Sequence, residues 1–504
     1  IPVFGLYAGW RNTVEVTYTR VFQGEEKTVT ESYVINTQPA WLETTGNPAI
    51  AQNFMTAKVT TPAPKEFSDR LYFINNLGAA DVRASRAVWN NPVGGALQWN
   101  NPPRNAILDT KGEIRWYMKA DRIYDPESLY DAGIMMGFHQ NADGALSWGY
   151  GQHYAKYDLL GRKVFNRRLP ANYADFSHAM MPAENGGYFL RVASPDLRRV
   201  DDTRVRTVRD VIIEVDASGE VVDEWRLFEI LDPNRNIVLK SIDQGAVCLN
   251  IDTSQSGKTL SAEQLAKLEA QHAFGDIAGT GAGRNWAHVN SVDHDPVDDS
   301  IILSSRHQSA VVKIGRDKQV KWILAAPNGW RDGLKDKVLT PVGKDGRPLS
   351  CRIGKCEGGF DWTWTQHTAW KIDELSKGDI VYVSVFDNGD GRAFVQPEDQ
   401  NEKYSRAVVY KIDQKAMTVE QVWEYGKERG HELYSPITSS VEYQADKNSV
   451  VVYWASIGTG SKTGPAPVLT EFRWGETKPA FEMHLKGGMG YRALPIDAQK
   501  AFVR

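Results

Sequence analysis

Val289-Asn290-Ser291-Val292, then Ile301-Ile302-Leu303-Ser304, Val311-Val312-Lys313-Ile314 and Val320-Lys321-Trp322-Ile323 decide the fold. These are four β-branched, apolar runs of strand length, separated by turns of Asp, Gly and Lys, and they predict four antiparallel strands in sequence. The last two make a hairpin whose outer strand carries a tryptophan. The same hairpin recurs outward from here. It is found at Ile107-Leu108-Asp109 to Ile114-Arg115-Trp116, at Tyr157-Asp158 to Lys163-Val164, and at Glu214-Val215-Asp216 to Val221-Val222-Asp223-Glu224-Trp225. Two further copies run from Lys411-Ile412-Asp413 to Gln421-Val422-Trp423 and from Glu471-Phe472-Arg473 to Phe481-Glu482-Met483. With 312–322 that is six hairpins, each preceded by another strand pair. Four strands repeated six times is the plan of a six-bladed β-propeller, in which the first strand of each blade lines a central channel. The expected class is all-β: a propeller over 66–504 after a small, β-sandwich-like N-terminal domain over 1–62.

That N-terminal region alternates as half-buried antiparallel strand in Thr13-Val14-Glu15-Val16-Thr17-Tyr18 and Glu31-Ser32-Tyr33-Val34-Ile35. Thr60-Thr61-Pro62-Ala63-Pro64 reads as the linker after it. The chain opens on Ile1 rather than Met, in what looks like mid-sheet strand, so the domain is taken as incomplete at its start and any export signal as removed. Between blades, 258–272 reads as a short helical insertion.

Composition narrows the function. The 504 residues carry a net charge of -4, which gives no global attraction to nucleic acid or an anionic membrane, and no apolar run is long enough to span a bilayer. Any anionic ligand must be held by local Arg, His and backbone donors. Of three cysteines, Cys248 reads as a buried thiol, while Cys351 and Cys356 are close together. They could form half of a zinc site, but no second pair completes it, so a small disulfide loop is the better reading and favours an oxidising compartment.

Three histidines open first strands: His178 in Asp175-Phe176-Ser177-His178-Ala179-Met180, His288 in Asn285-Trp286-Ala287-His288-Val289-Asn290, and His367 in Thr365-Gln366-His367-Thr368-Ala369-Trp370. A propeller brings them to one mouth of the channel. Asn290, two residues past His288, and Thr438, opening the next blade's first strand, fall in register with them. Arg306 ends a second strand returning to the same mouth and offers a planar fork of donors for an oxyanion. Three imidazoles also suit a hydrolytic zinc site, yet Arg306 would repel a cation and no carboxylate stands in register. Phe386-Asp387-Asn388-Gly389-Asp390-Gly391-Arg392 reads as a tight turn that could pin a neighbouring blade. His431, His307 and His153 read as structural or surface residues. Trp286, Trp362 and Trp364 could wall an aromatic ligand or pack between blades. A metal-dependent hydrolase and a non-catalytic binding propeller both remain open at this point.

The segments 283–291, 304–308, 365–370, 386–392 and 434–438 resemble those of the bacterial aryl sulfotransferases, the arylsulfate sulfotransferases that do not use phosphoadenosine phosphosulfate (PAPS). The resemblance runs from the N-terminal strands to the last blade. It implies a periplasmic homodimer without cofactor or metal that moves a sulfuryl group from an aryl sulfate donor to a phenol acceptor by a ping-pong route. It further implies that His367 is transiently sulfated and that His178, His288, Asn290, Arg306 and Thr438 contact the sulfuryl group. Enterobacterial members carry a cysteine pair near the nucleophile, which matches Cys351 and Cys356 across a shorter loop.

Overall fold

The computed structural model describes residues 3–42, 52–78, 101–120, 123–125, 133–194, 197–198, 204–205, 211–235, 237–242, 285–395, 398–459 and 461–500, with single positions at 261, 263, 267 and 270. Cys248 and nearly all of the helical insertion expected at 258–272 lie outside them. The described chain forms a six-bladed β-propeller in which every hairpin named above supplies the third and fourth strands of one blade, counted from the channel. The second to sixth blades start from inner strands at Met136–Gln140, Met180–Pro182, Val289–Asp295, His367–Lys371 and Ser440–Gln444.

The ends of the chain close the ring. Met489–Pro495 returns to pair with Leu71–Leu77 as the inner strand of the first blade, which contributes only its outer three strands from the N-terminal side. Thr56–Thr61 pairs antiparallel with Phe481–Lys486 as a fifth, outermost strand of the sixth blade. The boundary expected at residue 62 therefore falls earlier. The threonines read as linker belong to a propeller strand, because β-branched Thr suits an edge strand and the prolines start only at Pro62. Upstream, Arg11–Phe22 and Glu25–Asn36 form a two-stranded antiparallel hairpin in continuous register.

Blade strands are buried on both faces, so they read as continuous apolar runs whose alternate residues serve opposite neighbours. In the fourth blade Ile301, Leu303 and Val312 pack towards the third, whereas Ile302, Val311 and Trp322 pack towards the fifth. The recurrent tryptophan has a second task. Its indole N–H bonds to the hairpin turn of the next blade: Trp116 to Leu159 O at 2.7 Å, Trp225 to Gly315 O at 3.1 Å, Trp322 to Gln414 Oε1 at 3.0 Å and Trp423 to Glu476 O at 2.9 Å. Each bond fixes one blade's rim against the next and contributes ~1 kcal/mol. Trp286, Trp362 and Trp364 lie in the inter-blade cores rather than on a ligand wall. Among the described residues no helix is long and apolar enough to cross a membrane.

Candidate active site

The inner strands all run in one direction, so the residues that open them meet at one end of the channel. The ring of His178 lies 5.0 Å from that of His288 and 6.3 Å from that of His367, centroid to centroid. The backbone is bent to achieve this. His178, His288 and Thr438 have φ of 69°, 46° and 57°, and Thr365 and Thr368, flanking His367, have 46° and 56°. Left-handed conformations are costly for β-branched and ring-bearing residues and persist only where surrounding bonds hold them, as they do at functional sites. β-Bulges interrupt the register between Val289 and Ser291 and between His367 and Trp370, re-aiming the side chains between them.

The neighbours of His367 are bonding elements. Gln366 donates through Nε2 to Ser304 Oγ (3.0 Å), Ser305 O (3.2 Å) and Ala310 O (2.9 Å), tying the fifth blade to the fourth. Thr365 N–H donates to Ser309 Oγ (2.9 Å), and Thr365 Oγ1 accepts from Asp390 N–H (3.1 Å). His367 is 3% exposed, and its Nδ1 sits 2.7 Å from Asn388 Oδ1. The amide orientation is not free: Asn388 Nδ2 donates to Ser435 O (2.7 Å) and Thr438 O (3.2 Å), leaving only its oxygen for the imidazole. Nδ1 of His367 therefore carries the proton and Nε2 keeps its lone pair. That lone pair accepts the backbone N–H of Thr438 at 3.2 Å. Burial, with the charge of Arg306 added, depresses the His367 pKa to about 3, so the ring is neutral at any physiological pH.

Arg306 is 1% exposed. Its Nη2 donates to Pro436 O (3.2 Å) and lies 3.7 Å from Asp390 Oδ2, whose other oxygen is held by Lys403 (2.6 Å) and Tyr434 OH (2.9 Å). His178 Nδ1 meets the guanidinium of Arg191 at 3.2 Å, and His288 Nδ1 meets the side-chain amide of Asn285 at 3.0 Å. Asn290 Nδ2 donates to the carbonyl of Gln366 (2.7 Å), which places it one residue from His367, while its buried Oδ1 has no hydrogen-bond partner among the described residues. The hydroxyl of Thr438 donates to Ile437 O (2.6 Å), so the group that reaches His367 is its backbone N–H.

All six residues singled out by sequence thus converge. Five contributors were missed. His307, read as structural or surface, is fully buried with its ring 4.6 Å from that of His288 and its Nδ1–H donating to Asn285 O at 2.6 Å. It reaches the site because the single 3-10 turn Arg306–Gln308 folds back under the fourth blade. Asn388 and Asp390 belong to the turn read as a blade pin; Asn388 does pin Ser435 and Thr438, and it also orients His367. Arg191 and Tyr491 come from a second strand and from the closing C-terminal strand, with Tyr491 stacking edge-on to His178 at 5.9 Å. His153 stacks on Tyr150, and His431 stacks on Tyr434.

Two buried guanidinia face these imidazoles, and further along the inner strands burial raises Asp293 and Glu442 to about 7, which limits the negative charge that would oppose an anion. The arrangement offers a neutral nitrogen nucleophile beside fixed donors. It suits capture of a tetrahedral oxyanion better than a metal ion, because the guanidinia of Arg306 and Arg191 would repel a cation. Cys351 and Cys356 form a disulfide with Cα atoms 4.0 Å apart, in a loop that packs on the same core as Trp364.

Comparison with known proteins agrees over nearly the whole length. The family model described as "Arylsulfotransferase (ASST)" matches residues 56–492, beginning where the outermost strand of the sixth blade begins, and "Arylsulfotransferase Ig-like domain" matches residues 1–38. The protein named "Arylsulfate sulfotransferase AssT" from Escherichia coli O6:H1 is 44% identical over 473 residues, covering 91% of this chain and 76% of that protein. Its namesake from Lelliottia amnigena is 43% identical over the same coverage. The chain belongs to the arylsulfotransferase (ASST) family of transferases.

Proposed function

We propose that this protein transfers the sulfuryl group of an aryl sulfate to a phenol by a ping-pong reaction through sulfated His367, with no need for PAPS. One observation carries the reading. His367 is a buried, neutral imidazole whose Nδ1 proton is fixed on Asn388, whose Nε2 keeps its lone pair, held in the resting protein by the N–H of Thr438, and which stands beside the buried guanidinium of Arg306. Nε2 attacks sulfur in line with the ester oxygen. As the N–S bond forms, the S–O bond breaks and its electron pair leaves on the phenolate, whose conjugate acid has a pKa of ~10. Arg306, the second N–H of Asn290 Nδ2, and the N–H of Thr438 once Nε2 turns its lone pair to sulfur, oppose the charge on the sulfuryl oxygens, by analogy with phosphoryl transfer. His288 or His178 handles the proton of the phenol, a contribution worth ~10²–10⁴-fold. In the second half-reaction the acceptor oxygen attacks sulfur and the N–S pair returns to Nε2.

The disulfide supports residence in an oxidising compartment, and within that class we propose the periplasm. Homodimerisation is part of the same reading. Its support is the N-terminal region, where Trp10, Val21 and Phe22 are 64%, 69% and 73% exposed. The test of function is turnover of a chromogenic aryl sulfate with no other sulfuryl donor, with and without added phenol. Transfer requires phenol release to accelerate with acceptor and sulfate to appear on it. Acceptor-independent release of inorganic sulfate would make the protein a hydrolase instead.

A further inference from the structure

We propose that Arg191 is a positioning residue that holds His178 as a permanent hydrogen-bond donor, which excludes His178 from proton transfer and leaves that task to His288. This rests on the sulfuryl-transfer reading of the site. Arg191 stands on the second strand of the third blade, fully buried, with Nε donating to Ser177 O at 2.9 Å and Nη2 lying 3.2 Å from His178 Nδ1. A guanidinium has five N–H donors and no acceptor, so Nδ1 must supply the lone pair and the ring proton sits on Nε2. The hydroxyl of Ser177, also against Nδ1, can donate in the same direction.

Neither nitrogen of His178 can then exchange a proton with substrate. Protonating the ring would set an N–H on Nδ1 head-on against the guanidinium N–H. Removing the Nε2 proton would leave an imidazolate. What His178 can do is donate from Nε2, and with the rings of His288 and His367 at 5.0 and 6.3 Å that donor serves the sulfuryl oxygens or the ester oxygen. His288 is held differently. Its Nδ1 faces the side-chain amide of Asn285 at 3.0 Å, and an amide presents NH2 or, after a half turn, its oxygen. Asn285 can therefore serve a lone pair or an N–H on Nδ1, and His288 can pass between neutral and protonated forms.

The proton balance follows. Protonated His288 delivers its proton to the departing phenolate oxygen as Nε2 of His367 takes the sulfuryl group. Neutral His288 then removes the proton of the acceptor phenol while that oxygen attacks sulfur and the N–S electron pair returns to His367.

The experiment compares His178→Gln with His288→Gln in single-turnover sulfation, using a series of aryl sulfates of graded leaving-group acidity. Glutamine places an NH2 near the position of Nε2–H, so it donates but cannot shuttle a proton. His178→Gln should slow sulfation no more than ~10-fold with an unchanged slope against leaving-group acidity, whereas His288→Gln should cost ~10²–10⁴-fold for poor leaving groups and steepen the slope. A steepened slope in His178→Gln overturns the proposal. A second readout needs no variant and no substrate: ¹⁵N NMR of histidine-labelled resting protein should give His178 as the Nε2–H form from about pH 5 to about pH 8, and Arg191→Met should release it to titrate. A proton on Nδ1 of His178 in the unaltered protein also overturns the proposal. Failure of His367 to become sulfated is a separate outcome, since the ring form of His178 is read in its absence.

Discussion

Replacing Asn388 by leucine tests how the nucleophile is prepared. The bond from His367 Nδ1–H to Asn388 Oδ1 is 2.7 Å long and buried, and it joins a neutral donor only until Nε2 is sulfated. The ring then becomes formally cationic. A hydrogen bond to a charged group contributes ~1.5–3 kcal/mol against ~1 kcal/mol for the neutral bond of the resting ring, so losing the difference of ~0.5–2 kcal/mol should slow sulfation by ~2–30-fold. The loss belongs in the rate of the chemical step rather than in the affinity for the aryl sulfate, because Asn388 does not face the substrate. Asn388→Asp separates orientation from charge. A carboxylate ~3.5 Å from the ring charge at an effective dielectric of ~20 is worth ~5 kcal/mol, which lifts the His367 pKa by ~3–4 units from its depressed value. That variant should keep much of its rate in alkaline solution and acquire an acid limb near neutrality that the parent lacks. The assay is a stopped-flow burst of phenol from a chromogenic aryl sulfate without acceptor, across pH. A burst rate in Asn388→Leu equal to that of the parent, or no new acid limb in Asn388→Asp, refutes the reasoning.

Other outcomes follow from the same geometry. With a leaving group too acidic to need a proton, the parent's sulfation rate should stay level down to about pH 4, because His367 protonates only near pH 3. The same depression lowers stability in acid: below pH 6.5 the unfolded chain binds a proton that the folded ring refuses, a deficit of ~3 kcal/mol by pH 4.5. His367→Asn should therefore lose less stability between pH 7 and 4.5 in denaturant titrations than the parent does. Arg306→Met should cost at least ~10²-fold in sulfation and raise the pKa of His367, seen as an acid limb moved upward, because it removes an oxyanion donor and a cation at once. Reducing Cys351–Cys356 frees a six-residue loop and should lower stability by ~2 kcal/mol on the chain-entropy account, with the burst preserved in the reduced, folded protein.

Much of this was legible in the sequence because a propeller writes each blade locally. The Trp-bearing hairpins, such as 312–322, carry their own turns and apolar runs, and the histidines stand directly before the inner strands. Ring closure was not legible: nothing within Thr56–Thr61 or Met489–Pro495 says that the first caps the sixth blade and the second lines the first. Pairings between chain ends depend on the completed circle. Asn388 was hidden for a related reason, since its turn reads the same whether it merely pins the next blade or also orients an imidazole. His307 was obscured by local geometry, because a strand period extended past Ser305 sends it outward, whereas the 3-10 turn carries it under His288. In the sequence, the choice of His367 as the proposed nucleophile rests on resemblance alone. The hydrogen bonds now give it a physical basis: of the three imidazoles, it is the one whose Nε2 is left with a lone pair by an amide that cannot reverse.

The central claim is the sulfated histidine. The most direct measurement is peptide mass spectrometry after incubating the protein with an aryl sulfate and no acceptor, handled without acid. The account predicts a single sulfuryl adduct on the peptide containing His367, lost on addition of phenol with the sulfate recovered on the phenol. An unmodified His367 peptide from protein that turns over, or an adduct on His178 or His288 instead, contradicts it.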